Sequence, residues 1–220
     1  MKRVFIILVT IATFVTTTSA QGISSPWWSL RGGVNFSRLS SEYYSTDLLT
    51  GFSVGATYSY PISKSIPIYI EGGLYLQRRG AQDNGFLSES VSESKLVTHE
   101  IELPLLLGCQ VALSRGWAIQ GAVGLYYSIA VDGEFIVGDE SFDLYREEML
   151  QTLRDSEPKS QQLLHRSDFG VRVGVTATYL RYLFGIAFDG GLLNLYAPSF
   201  REVGYQAISS CFTLQAGYTF

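Results

Sequence analysis

The sequence predicts an all-β protein: an eight-stranded antiparallel up-and-down transmembrane β-barrel with a short helix in its third extracellular loop. Three observations predict it. Eight segments alternate apolar and polar residues with period two, and successive side chains of a strand point to opposite faces. The connections between them are short and long in turn, as in a membrane barrel with tight turns at one rim and loops at the other. Although 46% of the residues are hydrophobic, no run after residue 20 approaches the ~18 apolar residues of a helical span.

Residues 1–20 stand outside this pattern. Lys2 and Arg3, an apolar stretch over residues 4–15 and the small residues Thr18-Ser19-Ala20 read as a secretory signal peptide cleaved after Ala20. No cysteine stands directly after that site, which argues against a lipid anchor. Residues 21–220 are expected to form one barrel domain.

The first segment sets Trp28, Leu30, Val34 and Phe36 against Ser29, Arg31, Gly33 and Asn35. The second sets Phe52, Val54, Ala56, Tyr58 and Tyr60 against Ser53, Gly55, Thr57 and Ser59. In the third, Ile66, Ile68, Ile70, Leu74 and Leu76 oppose Tyr69, Glu71, Gly73, Tyr75 and Gln77. The fourth places Val97, Ile101, Leu103, Leu105, Leu107 and Val111 opposite Thr98, Glu100, Glu102 and Gln110. Trp117, Ile119, Val123, Leu125, Tyr127 and Ile129 form the apolar face of the fifth, backed by Gln120, Gly124, Tyr126 and Ser128. The sixth alternates most cleanly, with Phe169, Val171, Val173, Val175, Ala177 and Tyr179 against Asp168, Gly170, Arg172, Gly174, Thr176 and Thr178. The seventh has Tyr182, Phe184, Ile186 and Phe188 against Gly185, Ala187 and Asp189. The eighth, from Phe212 onward, has Phe212, Leu214, Ala216, Tyr218 and Phe220 against Thr213, Gln215, Gly217 and Thr219.

Short connections are expected at residues 62–65, 112–116 and 180–181, and long ones at 38–50, 80–94, 132–167 and 194–204. An even strand number puts both ends of the barrel at the short-turn, periplasmic rim. Trp28, Tyr58, Tyr60, Trp117, Tyr179, Tyr182 and Tyr218 lie near that rim on the apolar register, as an interface girdle does. In the third loop Phe142, Tyr145, Met149, Leu150 and Leu153 recur at helical spacing, which predicts a short amphipathic helix over residues 141–154 ahead of Pro158. That helix either packs over the barrel mouth or meets a partner; the first is favoured because long loops commonly fold back. In the second loop Asn84-Gly85 reads as a tight hairpin turn, letting the third and fourth strands protrude.

Charge and cysteine usage remove several function classes. Without Lys2 and Arg3, 14 of the 16 basic side chains face 20 acidic ones, a net of −6 with no basic cluster, so nucleic acid is not an expected partner. Cys109 falls on the apolar register and Cys211 on the polar one, pointing to opposite sides of the wall, so two free thiols are expected. With His99 and His165 as the only histidines and no glycine-rich phosphate loop, no metal, cofactor or catalytic set is expected. Ser167 follows His165 closely, yet no third orienting group stands at readable spacing.

The last segment, ending on an aromatic residue, resembles the terminal strand of outer-membrane barrels. That resemblance implies an outer-membrane location, contact with outer-membrane lipid, and recognition of Phe212, Leu214, Tyr218 and Phe220 by the barrel-insertion machinery. Further motifs resemble the PorT-type outer-membrane β-barrel family. They are Gly32-Gly33-Val34-Asn35-Phe36-Ser37, Gln77-Arg78-Arg79-Gly80-Ala81, Ile101-Glu102-Leu103-Pro104-Leu105-Leu106-Leu107, Asp168-Phe169-Gly170 and Ala216-Gly217-Tyr218-Thr219-Phe220. The likeness spans essentially residues 21–220 and implies an eight-stranded barrel in a family whose name-giving member is tied to secretion. It carries no defined functional residues, and the third loop is longer than the family's usual one.

Seven charged side chains fall on the inward register: Arg31, Glu71, Arg79, Glu100, Glu102, Arg172 and Asp189. Facing lipid, a mid-membrane Arg costs about 2–4 kcal/mol, so they must point inward, where three cations and four anions are expected to pair. An eight-stranded interior is just wide enough for side chains to fill, so a structural plug is the favoured reading, with a polar ligand site or gated conduit as the alternative. The expected function is a non-enzymatic, loop-displaying interaction or accessory component of the cell envelope, with an envelope protein as partner. A small-molecule binder or narrow conduit comes second, and a membrane lipid hydrolase third.

Overall fold

Alternation over the whole length of each segment builds strands that close on themselves, because a sheet in lipid cannot leave an edge unpaired. The computed structural model describes residues 25–40, 46–63, 65–83, 94–137, 140–145, 165–195 and 207–220. The expected signal peptide lies outside the described residues, as do Asn84-Gly85 and most of the third loop. The strands are Trp27–Ser40 (β1), Leu49–Pro61 (β2), Ile68–Asp83 (β3), Ser94–Ser114 (β4), Trp117–Val137 (β5), Glu140–Asp143 (β6), Ser167–Tyr179 (β7), Tyr182–Gly191 (β8) and Ile208–Thr219 (β9).

Eight of them form the barrel, in the ring order β1-β2-β3-β4-β5-β7-β8-β9, with β9 returning to β1. All neighbours are antiparallel. The closing pair runs from Ser29↔Thr219 to Ser40↔Ile208. The short turns sit at one rim: Leu180-Arg181 between β7 and β8, and Arg115-Gly116 between β4 and β5. Arg115 and Gly116 both have positive φ, 28° and 89°, the backbone a two-residue hairpin asks for. The turn after β2 runs longer than expected, and Ile66 lies in it rather than in β3.

The outward register meets lipid. Leu30, Phe52, Leu74, Leu105, Val123, Val173, Phe184 and Leu214 are all exposed apolar side chains. At the periplasmic rim the aromatics pair across strands: Trp28 with Tyr58 at 4.6 Å between ring centroids, Trp117 with Tyr179 at 4.8 Å, and Tyr182 with Tyr218 at 5.6 Å. Cys109 and Cys211 are both free, half-buried and buried respectively.

Two differences from the sequence expectation matter. The helical pattern over residues 141–154 does not start as a helix: residues 141–143 belong to β6, which pairs with β5 from Glu134↔Asp143 to Val137↔Glu140. Backbone pairing offered by the protruding β5 edge outweighs the spacing of a few apolar residues, since local pattern is a weak prior against tertiary contact. Residues 146–154 lie outside the described residues. Second, β4 and β5 are each 21 residues long, about twice the ~9–11 that a tilted span requires, so it is this hairpin that extends furthest past the membrane. The apolar belt on it stops at Ile101 and Val131. Above them His99 and Asp132 face out, Nδ1 and Oδ2 3.9 Å apart. At this level the pairing slips, Glu100↔Ala130 giving way to His99↔Asp132, so Val131 is the extra residue of a β-bulge. The bulge turns Val131 and Asp132 outward together and swings Gly133 toward the mouth.

Candidate functional site

Inside the wall the polar register converges on three levels. Nearest the periplasm, Arg31 of β1 donates Nη1 to Glu71 Oε1 (2.9 Å) and Nη2 to Glu71 Oε2 (2.7 Å). Ser59 of β2 donates its hydroxyl to the same Oε2 at 2.9 Å. Tyr69 and Leu183, both buried, fill the section below, and Trp27 packs edge-on against Tyr69 at 5.2 Å. Gly108 leaves the space that Tyr69 takes: a Cβ there would lie 2.2 Å from the ring's Cζ.

At mid-height four charges from four strands interlock. Arg79 of β3 donates Nη2 to Glu102 Oε2 of β4 (2.5 Å) and to Asp189 Oδ2 of β8. Arg172 of β7 donates Nε and Nη2 to Asp189, at 2.6 and 2.9 Å, and its Nη1 lies 2.5 Å from Glu102 Oε1. Glu102 and Asp189 are completely buried, at 0% exposure. Each charge therefore meets two of opposite sign, the arrangement in which mutual attraction best offsets the cost of leaving water. Aromatic faces complete the shell, Tyr126 5.6 Å from the Arg79 guanidinium and Tyr75 5.1 Å from that of Arg172. Gly55 makes room for Tyr75, whose ring passes 2.4 Å from where a Cβ would be.

Toward the extracellular mouth lies Asp168. Tyr126 donates its hydroxyl to Asp168 Oδ2 (2.9 Å), Ser209 donates to the same oxygen (2.5 Å), and the Phe169 amide donates to Oδ1 (2.8 Å). Glu100, alone of the seven inward charges, stands aside: Thr98 donates to its Oε1 at 2.8 Å, while Arg79 Nη1 is 4.0 Å from its Oε2. The structure thus brings Glu102, Arg172 and Asp189 together with Arg79, holds Arg31 with Glu71 as a separate pair, and leaves Glu100 at the edge.

Sequence reasoning missed the roles of Asp168, Tyr75 and Tyr126, although all three sit on the polar register. Register reports which way a residue points. It does not report which distant strand it reaches, and Arg79–Asp189 joins β3 to β8, the strand directly across the barrel.

Among the described residues the lumen holds a cavity of about 20 Å³ between Arg31 and Arg172 and one of about 40 Å³ above Arg79, beside Glu100, Asp168, Ser209 and Cys211. Both are of the size that admits ordered water, far below the ~300 Å³ of a small-molecule pocket.

Residues 19–197 match the model of a family described as "Outer membrane protein beta-barrel domain". No curated protein matches the chain. Among solved structures it is similar to Ail, the attachment invasion locus protein of Yersinia pestis, at 14% identity and a TM-score of 0.43, with 90% of this chain and 100% of that chain covered. It is similar to OprG from Pseudomonas aeruginosa at 15% identity and a TM-score of 0.46, with 92% and 99% covered. It is also similar to Neisserial surface protein A at 10% identity and a TM-score of 0.47, with 88% and 97% covered.

Proposed function

The chain belongs to the outer membrane protein β-barrel domain family, and on that premise we propose that it is a non-enzymatic, loop-displaying interaction or accessory component of the cell envelope. One observation carries the reading. The strands that leave the membrane, β4 and β5, run to 21 residues each and gain β6 as a further strand, so structure has been invested outside the lipid. The lumen offers the opposite. It is filled at three levels, and the two cavities found among the described residues are water-sized, which supports a scaffold over a binder or conduit. The hydroxyls beside Asp168 donate to that carboxylate rather than to a histidine, which supports the non-enzymatic part.

Two narrower assignments belong to the same proposal. The aromatic face of β9, with Phe212 and Phe220 exposed toward lipid, is the surface the insertion machinery reads before β9 closes on β1. The PorT-type likeness, with its link to secretion, rests on motifs whose Asn35, Gln77, Arg79, Glu102 and Asp168 all point into the lumen, so it speaks for a shared scaffold more than a shared partner.

The test is purification from its own outer membrane at native expression, with and without residues 139–159. A stoichiometric partner that disappears with the deletion supports the proposal. A barrel that is partnerless in both samples, or one that conducts ions steadily in a planar bilayer, overturns it.

A further inference from the structure

We propose that the periplasmic rim holds the headgroup of an anionic phospholipid between Arg115 and Arg181, on the two turns that join β4 to β5 and β7 to β8. Charge is divided between the two rims. The short connections, residues 62–67, 115–116 and 180–181, contain Lys64, Arg115 and Arg181 and no acidic residue. Residues 132–167 alone carry nine acidic side chains against four basic ones. A chain that is acidic on balance thus keeps one rim cationic. Arg115 and Arg181 are both exposed, and neither forms an ion pair among the described residues.

The two turns are docked on each other. The Leu180 amide donates to the Gly116 carbonyl at 2.8 Å, and a Cβ at Gly116 would stand 2.9 Å from Leu180 Cδ2. Arg115 precedes Gly116 and Arg181 follows Leu180, so this contact sets the two arginines on one small patch of the rim. Arg181 donates Nη1 to the Tyr218 hydroxyl at 3.4 Å, and its carbonyl accepts from the Thr219 amide at 2.7 Å, which ties it to the closing strand. Turn chemistry points the same way. Leu180 has a φ of 55°, at the first position of a two-residue hairpin loop where glycine is the favoured residue. It is nevertheless a leucine, 67% exposed. Arg115, with a φ of 28°, also stands where asparagine or glycine is favoured. Side chains kept on a backbone that disfavours them, and left exposed, mark a surface that touches something outside the chain.

Depth identifies the occupant. Beside these turns runs a row of four rings, Trp117, Tyr179, Tyr182 and Tyr218, paired in register across β5, β7, β8 and β9. Such rings sit at the level of lipid headgroups, so the arginines lie where phosphate lies. Leu113 and Leu180, both exposed, offer apolar surface to the acyl chains. Guanidinium groups take phosphate through parallel N–H donors, and two of them without a carboxylate favour a headgroup of net negative charge over a zwitterionic one.

Trp117, 46% exposed on the lipid face, reports on the site. The full chain carrying Trp27→Phe and Trp28→Phe is reconstituted in phosphatidylcholine vesicles. Quenching of Trp117 by brominated phosphatidylglycerol is then compared with quenching by brominated phosphatidylcholine. The anionic lipid should bind about tenfold more tightly, the scale of two partly screened cations at a membrane surface. Arg115→Gln and Arg181→Gln should each lower that preference about threefold, and the pair together should abolish it. Arg38→Gln, which removes an exposed arginine from the extracellular end of β1, should leave it unchanged. Heat-modifiable gel mobility establishes that each variant has folded. On the native side, the preference should also collapse at ~1 M salt, where the Debye length is about 3 Å. Equal affinity for the two lipids without the arginine substitutions would overturn the proposal. So would a preference that survives loss of both arginines, or one that Arg38→Gln lowers as much.

Discussion

The two ion-paired levels of the lumen contain the same chemistry and use it differently. Arg31–Glu71–Ser59 joins β1, β3 and β2, strands that are already neighbours in the sheet. The interlocked set of Arg79, Glu102, Arg172 and Asp189 joins β3 and β4 to β7 and β8 across the barrel axis. The first fastens a patch of wall whose geometry the backbone ladders already determine. The second spans the one direction in which a hollow sheet has no ladder. Buried charge thus has a structural task at mid-height that apolar filling would perform less specifically, whereas at the lower level it has mainly to satisfy itself.

The largest effect should come from breaking the cross-lumen set. Arg172→Ala leaves Glu102 and Asp189 buried with one guanidinium between them, and should cost about 3–5 kcal/mol in the urea-induced transition followed by tryptophan fluorescence. Next, Glu71→Gln should cost about 2–3 kcal/mol, because the amide offers Arg31 one acceptor in place of two and removes the counter-charge beside it. Coupling sharpens the comparison further. The pair replacement Arg31→Met with Glu71→Leu should return to within about 1 kcal/mol of the native protein. If the same swap of Arg172 and Asp189 for apolar residues recovers as fully, the cross-lumen set has no special role.

The smallest effect is expected at Tyr145, at the extracellular mouth. Tyr145→Ala should change global stability by less than about 1 kcal/mol in the same transition, since it removes one cation–π contact, that with Arg166, outside the ion-paired levels. Burial first, then the Glu100 carboxylate, pushes the Tyr145 hydroxyl up to about 12. The sign follows: the stabilisation from the packed neutral ring is complete below the ordinary tyrosine value of about 10, and it weakens as pH rises from there through about 12. The stability of the native protein relative to Tyr145→Phe should therefore stay constant up to about pH 10 and fall above it in the urea-induced transition. A flat difference through pH 12 would show that ionising this hydroxyl costs the fold nothing.

Much of the barrel was legible in the residues themselves. Period-two alternation told outward from inward for Leu105 and Glu102 alike, because lipid excludes the wrong choice by several kcal/mol. The girdle was equally plain: Trp28, Tyr58, Trp117 and Tyr179 were placed at the rim by register and strand end alone, and they face one another there. Alternation fails where lipid no longer enforces it. Beyond the bulge at Val131 the hairpin stands outside the membrane, and there an apparent helical spacing at residues 141–143 yielded to a strand pairing.

What the sequence determined by itself is therefore the wall: strand number, orientation, the lipid face and the set of charges that must point inward. Each follows from a rule that acts residue by residue, the solvent on either side of a strand. Only the tertiary structure decided which of those charges meet. Asp189 reaches Arg79 from the far side of the ring, and no local pattern encodes that contact. The same holds at the extracellular end, where Gly133, Tyr145 and Arg166 come from three separate stretches of chain and acquire their relation only once the barrel has closed.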